Sequence, residues 1–109
     1  MAIDIKICGL STPGAVRAAV QGGAAYVGFV FFEPSPRAVT PDVMAALCMT
    51  VPDTVTKVGL FVDASFDEIG AAVATGKLNM LQLHGAETPG MIAQIKHKFR
   101  LPVMKAVAM

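Results

Sequence analysis

Five short apolar runs alternate with four segments that carry helix-start signals, and this alternation narrows the fold more than any other feature of the chain. Ile3–Cys8, Tyr26–Phe32, Lys57–Val62, Met80–His84 and Val103–Val107 are rich in Val, Ile, Leu and Phe and read as strands. Their apolarity is nearly continuous, which predicts a parallel sheet covered on both faces. Between them, Thr12-Pro13, Thr40-Pro41 and Thr88-Pro89 each place a side-chain acceptor at an N-cap and a proline at the first helical position. Ser65 and Glu68 mark the fourth start with capping-box spacing. Gly22-Gly23, Pro52-Asp53 and Gly76 are the stop signals. Apolar residues three or four apart (Val16/Ala19/Val20, Val43/Met44/Leu47, Ile69/Val73 and Ile92/Ile95/Phe99) give each helix one stripe to bury.

Serial βα units imply parallel strands with right-handed crossovers, and two architectures satisfy that: an open doubly wound sheet, or part of an eight-fold barrel. The doubly wound sheet calls for a phosphate-cradling glycine loop after the first strand. The turn here reads Cys8-Gly9-Leu10-Ser11-Thr12-Pro13 and holds none. The stretch from Gly70 to Gly76-Lys77 is no P-loop either, because Leu78 stands where Ser or Thr is needed and the segment reads as helix. Cys8, Asp63 and His84 fall at the C-terminal ends of their strands, the face where barrel enzymes do chemistry. The predicted fold class is therefore α/β: a parallel βα-repeat equivalent to the N-terminal half of a TIM (β/α)8 barrel. It comprises four βα units and the start of the fifth strand, with residues 1–109 forming a single partial domain.

Composition removes several functions. With 54% hydrophobic and 16% charged residues the chain is not disordered. A net charge of +1 offers no basic excess for a nucleic acid. Its longest uncharged apolar stretch, Ala18 to Phe32, is too short to span a membrane and is broken by Gly22-Gly23, and the N-terminus does not read as a secretory signal. Cys8 and Cys48 are far apart without CxxC spacing, so neither a disulfide nor a zinc site is expected, and a reducing cytoplasm fits.

Three segments carry candidate chemistry. In Lys6-Ile7-Cys8-Gly9, strand alternation puts Lys6 and Cys8 on the inward face, and an ammonium two residues from a thiol favours the thiolate, a nucleophile or general base. The alternative is a small thiol packed as a hydrophobe. Phe29, Phe31 and Phe32 lead into Glu33-Pro34-Ser35-Pro36-Arg37, where a stiffened loop holds an arginine beside aromatic rings. Such a fork suits a planar carboxylated ring; alternatively Arg37 pairs with Glu33 on the surface. In Gln82-Leu83-His84-Gly85, Gln82 and His84 share a face, so His84 either lines a pocket or is structural. Asp63 reads as the lead-in to the third helix, and His97 as a solvated helical residue. No residues stand at metal-ligand spacing.

Lys6-Ile7-Cys8-Gly9, Gly28 to Phe32 followed by Ser35-Pro36-Arg37, Val58 to Asp63, and Gln82 to Gly85 together resemble, in order and spacing, the phosphoribosylanthranilate isomerase family. The resemblance implies a cytoplasmic, cofactor-free TIM-barrel enzyme of tryptophan biosynthesis. Its reaction is an Amadori rearrangement of N-(5-phosphoribosyl)anthranilate, an aminoaldose, to an aminoketose. It implies that Cys8 is the general base, that Arg37 holds the anthranilate carboxylate, and that His84 and Lys6 contact substrate. The family's general acid, an aspartate after the sixth strand, and its phosphate-gripping loops after the seventh and eighth strands have no counterpart in these residues. The chain is thus expected to act as the base-carrying half of the enzyme, inactive alone. It should pair with a C-terminal half or self-associate through an inward face that exposes Phe and Leu beside Lys6 and Gln82. The alternatives are a non-catalytic half-barrel, or another phosphate-binding barrel such as indole-glycerol-phosphate synthase.

Overall fold

The structure, a computed structural model, describes residues 5–105. Nine elements follow in strict alternation: β1 (Lys6–Ile7), α1 (Pro13–Gln21), β2 (Tyr26–Val30), α2 (Pro41–Cys48), β3 (Thr56–Phe61), α3 (Phe66–Val73), β4 (Met80–Leu83), α4 (Pro89–Phe99) and β5 (Val103–Lys105). The first four strands end earlier than their apolar runs, so Cys8, Phe31–Phe32, Val62 and His84 belong to loops. The beginning of the first run (Ile3, Asp4) and the end of the fifth (Ala106, Val107) lie outside the described residues.

The helix starts follow from their caps. Thr12, Thr40 and Thr88 accept from the backbone N–H groups of Ala15, Val43 and Met91 at 3.2, 3.3 and 3.2 Å. Ser65 and Glu68 form the reciprocal capping box. At the other end, α2 stops at Met49, before Pro52-Asp53. α4 ends on Arg100 in the left-handed conformation (φ 55°), with Lys96, His97 and Lys98 in the last turn complementing the negative end of the helix dipole.

All strand pairs are parallel and the order is β1-β2-β3-β4-β5. No strand order reverses, so crossovers of one hand put every helix on the same side of the sheet. A doubly wound sheet would require a reversal, and this sheet has none. The helix-side core contains Val27 and Phe29 of β2, Phe61 of β3, Leu81 and Leu83 of β4, and Val16, Met44, Ile69 and Ile95 from the four helices. Burying side chains of this size is worth about 1.5–3 kcal/mol each. Val43 departs from the expected stripe: it is exposed, while Met44, Leu47 and Cys48 carry the buried face of α2.

The opposite face carries Lys6, Tyr26, Gly28, Val30, Val58, Leu60, Met80, Gln82 and Met104, by alternation and register. The expectation that it presents Phe is therefore corrected: Phe29 and Phe61 are fully buried against the helices, and this face is aliphatic and Met-rich. Lys6 donates to Gln82 Oε1 across β2 and β3. In a flat sheet those strands stand about 14 Å apart, three spacings of about 4.8 Å, too far for two side chains standing on one face to meet. The sheet is therefore curled with this face concave, as in a barrel wall.

Candidate active site at the carboxyl edge

Because the strands are parallel, the segments after β1, β2, β3 and β4 gather on one edge, bringing Cys8, Arg37, Asp63 and His84 to the same end of the sheet. Two glycines set the geometry around Cys8. Gly28 is buried in β2, and a Cβ there would lie 2.9 Å from Cys8 Sγ, so only glycine lets the thiol settle over the strand. Its carbonyl accepts from both Gly9 N–H and Leu10 N–H, at 3.0 and 3.2 Å, which pins the turn after β1. Gly9 adopts φ 79°, a conformation costly for residues with a Cβ. A Cβ at Gly9 would also meet Arg37 Cδ at 2.9 Å.

Arg37 therefore lies over the turn that carries Cys8. Its loop is closed by the Val30–Ala38 bridge and by Val39 N–H donating to Val30 O, and Arg37 N–H donates to Ser35 Oγ at 3.2 Å. Among the described residues Arg37 and Glu33 form no ion pair. Cys8 is a free thiol, exposed among the described residues. Lys6 reaches to Gln82 on the concave floor, and His84 is exposed at the rim, its backbone N–H donating to Phe61 O at 2.9 Å. Cys48 lies elsewhere, buried in α2 with Sγ 3.5 Å from Met44 Sδ, and burial pushes its thiol up.

The residue that sequence reasoning missed is Glu87. Its side chain is 2% exposed. Oε2 accepts from Asp63 N–H at 2.9 Å, and Oε1 from Gly85 N–H at 2.8 Å and Lys105 Nζ at 2.6 Å. Asp63 Oδ1 in turn accepts from Ala86 N–H at 2.7 Å. Asp63 is thus a brace between two loops and adopts φ 49°, instead of simply leading into α3.

Burial pushes the Glu87 carboxyl up, but Lys105 and the N–H groups of Asp63, Glu87 and Gly85 outweigh it and hold the group down at about 2, against an ordinary 4.5. An unfolded chain takes up this proton near pH 4.5, whereas the folded one resists until about pH 2. The stabilisation is complete above pH 4.5 and is lost as pH falls through that window, about 3 kcal/mol in all. Urea unfolding at pH 7 and pH 3 checks this: Glu87→Gln should show a visibly smaller acid loss than the parent, and equal losses would contradict it.

Among the described residues no group of three or more His, Cys, Asp or Glu side chains is placed to hold a metal, and no helix is long and apolar enough to cross a membrane. A singly wound, curled parallel βα array is the arrangement of strands and helices that forms the wall of a (β/α)8 barrel, the α/β class to which this fold corresponds. A family model described as N-(5'phosphoribosyl)anthranilate (PRA) isomerase matches residues 5–109, and the chain belongs to that family. The N-(5'-phosphoribosyl)anthranilate isomerase of Paracoccus denitrificans (strain Pd 1222) is 52% identical over 107 residues, covering 98% of this chain and 50% of the relative. The chain spans about half the length of the curated relatives it matches. The crystal structure of phosphoribosyl anthranilate isomerase from Thermotoga maritima superposes with a TM-score of 0.92 at 32% identity, over 99% of this chain and 52% of that one. A second isomerase structure, in complex with reduced 1-(o-carboxyphenylamino)-1-deoxyribulose 5-phosphate, matches equally, with TM-score 0.92, 32% identity and coverage of 99% and 55%.

Proposed function

We propose that these residues form the base-carrying, carboxylate-binding half of a phosphoribosylanthranilate isomerase of tryptophan biosynthesis, one partial barrel domain working in the reducing cytoplasm. The observation that carries the reading is the shared turn: Cys8 Sγ lies over Gly28 while the Arg37 side chain lies over Gly9, next to Cys8 in sequence. An aromatic carboxylate held by Arg37 puts the attached sugar carbons beside the thiol. The Arg37 fork takes the carboxylate and the exposed Phe32 ring lies in the same loop.

In the reaction, the ribose ring oxygen is protonated and the ring opens to a Schiff base; the acid for that step comes from the complementary half. Cys8 Sγ then takes the C2 proton. The C2–H electrons become the C1=C2 bond and the imine electrons settle on nitrogen, giving an enolamine. The C2 hydroxyl gives up its proton and C1 gains one, which yields the ketone with no net change in composition. His84 lines the rim of the pocket and Lys6 its floor.

The test uses a completed barrel, in which this chain is continued by the C-terminal half of the Paracoccus denitrificans relative. It should turn over N-(5-phosphoribosyl)anthranilate. Arg37→Lys, which loses the fork, should raise KM, and Arg37→Ala should raise it further, by about 10–100-fold, the worth of a charged hydrogen bond. Negligible effects from both would return Arg37 to an ordinary surface loop, and a folded barrel without turnover would refute the isomerase reading.

A further inference from the structure

Among the described residues Glu87 ties together three segments of the carboxyl edge. It comes from the segment between β4 and α4, yet it ties down the first residue of the loop beyond Val62, the residue after His84, and Lys105 of β5. Lys105 Nζ also donates to Gly85 O, so Gly85 is gripped at both its N–H and its carbonyl. Asp63 closes the clasp from the other side through Ala86 N–H. The two loops meet so closely that a Cβ at Gly85 would lie 2.5 Å from Asp63 Oδ1. Asp63 adopts the left-handed region, which aspartate tolerates better than most residues with a Cβ, and its side chain and backbone are both bonded there. His84 is the residue immediately before this grip; its side chain is exposed and its backbone N–H is bound to Phe61 O, the last residue of β3. The backbone on both sides of the imidazole is therefore fixed, one side by the sheet and the other by the carboxylate.

We infer that Glu87 is a positioning residue: its buried carboxylate locks the loops after β3 and β4 and the end of β5 into one geometry, and thereby sets where His84 stands at the rim of the substrate pocket. This deepens the isomerase reading and rests on it for the substrate. Glu87 touches no reacting atom; it acts through Gly85 on its neighbour. A carboxylate is needed because three donors converge on two oxygens. Glutamine presents an NH2 group to one of the backbone N–H groups and leaves that donor unpaired.

The test is Glu87→Gln in the completed barrel, with Lys105→Met as a milder variant that leaves the two backbone bonds intact. Three readouts are taken well below the unfolding temperature. Amide exchange at Asp63 and Gly85 should quicken while Val27, in the distant sheet core, stays protected. The His84 imidazole resonances should shift or split. KM should rise by about tenfold or more, with kcat falling less, since a misplaced rim contact weakens positioning while Cys8 keeps its own turn. A lower unfolding temperature with unmoved His84 resonances and unchanged KM would make Glu87 a purely structural residue and overturn the inference. If the parent barrel folds without turning over substrate, the isomerase reading falls, and the His84 resonances still decide the clasp. If Glu87→Gln does not fold, Lys105→Met decides with the same readouts.

Discussion

Replacing Cys8 by serine in the completed barrel should lower kcat by about 10²–10⁴-fold, the usual worth of a positioned acid or base, while KM stays near that of the parent. The Sγ position over Gly28 accepts an oxygen without strain, since oxygen is smaller than sulfur and the space exists because Gly28 has no Cβ. The turn itself is held by the Gly28 carbonyl bonds to Gly9 and Leu10, which do not involve the side chain. Arg37 therefore keeps its place and substrate still binds. What serine lacks is basicity: a hydroxyl does not take a carbon-bound proton at neutral pH without a further base. Cys48→Ser is the control. It sits in the buried face of α2 against Met44, so it should lower stability and leave kcat alone. Near-parental turnover from Cys8→Ser would remove Cys8 from the chemistry.

The fold was legible because its signals are local. A threonine that caps a helix does so within three residues, and each of the Thr-Pro pairs performs as its spacing predicts. Strand runs were legible for the same reason, although their ends were not, since pairing stops where the neighbouring strand's register stops. The site was half legible. Motif resemblance singled out Cys8 and Arg37, but their closeness depends on two missing Cβ atoms, a fact of tertiary packing. Gly28, a glycine within a strand, was the signal that could have pointed to a close approach there. The inward face was misread because alternation within one strand does not say how strands are registered against each other. Once Val30 pairs with Leu60 and Leu60 with Gln82, Phe29 and Phe61 must point to the helices. Glu87 was illegible for a plainer reason. Two of its partners are 24 and 18 residues away, no periodicity links them, and before a helix cap it looks like any surface carboxylate.

A polypeptide of these 109 residues alone should show no isomerase turnover, and it should not remain a clean monomer. Among the described residues β1 and β5 have a neighbour on one side only, and edge strands with unpaired N–H and C=O groups invite pairing. The concave face adds a second cause: Val30, Leu60 and Met80 are only half-buried there and Met104 is 41% exposed, an aliphatic surface that gains by being covered. Loss of chemistry has a separate origin. Ring opening needs an acid, and the carboxylates nearest the ends of β3 and β4 are committed elsewhere. Asp63 accepts from Ala86 N–H and packs on Gly85, and Glu87 is buried, ionised and paired with Lys105. Sedimentation should therefore report a mass above that of the 11.3 kDa monomer. Refolding the chain together with the C-terminal half of the Paracoccus denitrificans relative should restore turnover and collect the mass into a single barrel. A monodisperse monomer would refute the open-edge argument. Turnover by the 109 residues alone would show that an acid is already present, and Asp63, on the same edge as Cys8, is where the search for it would begin.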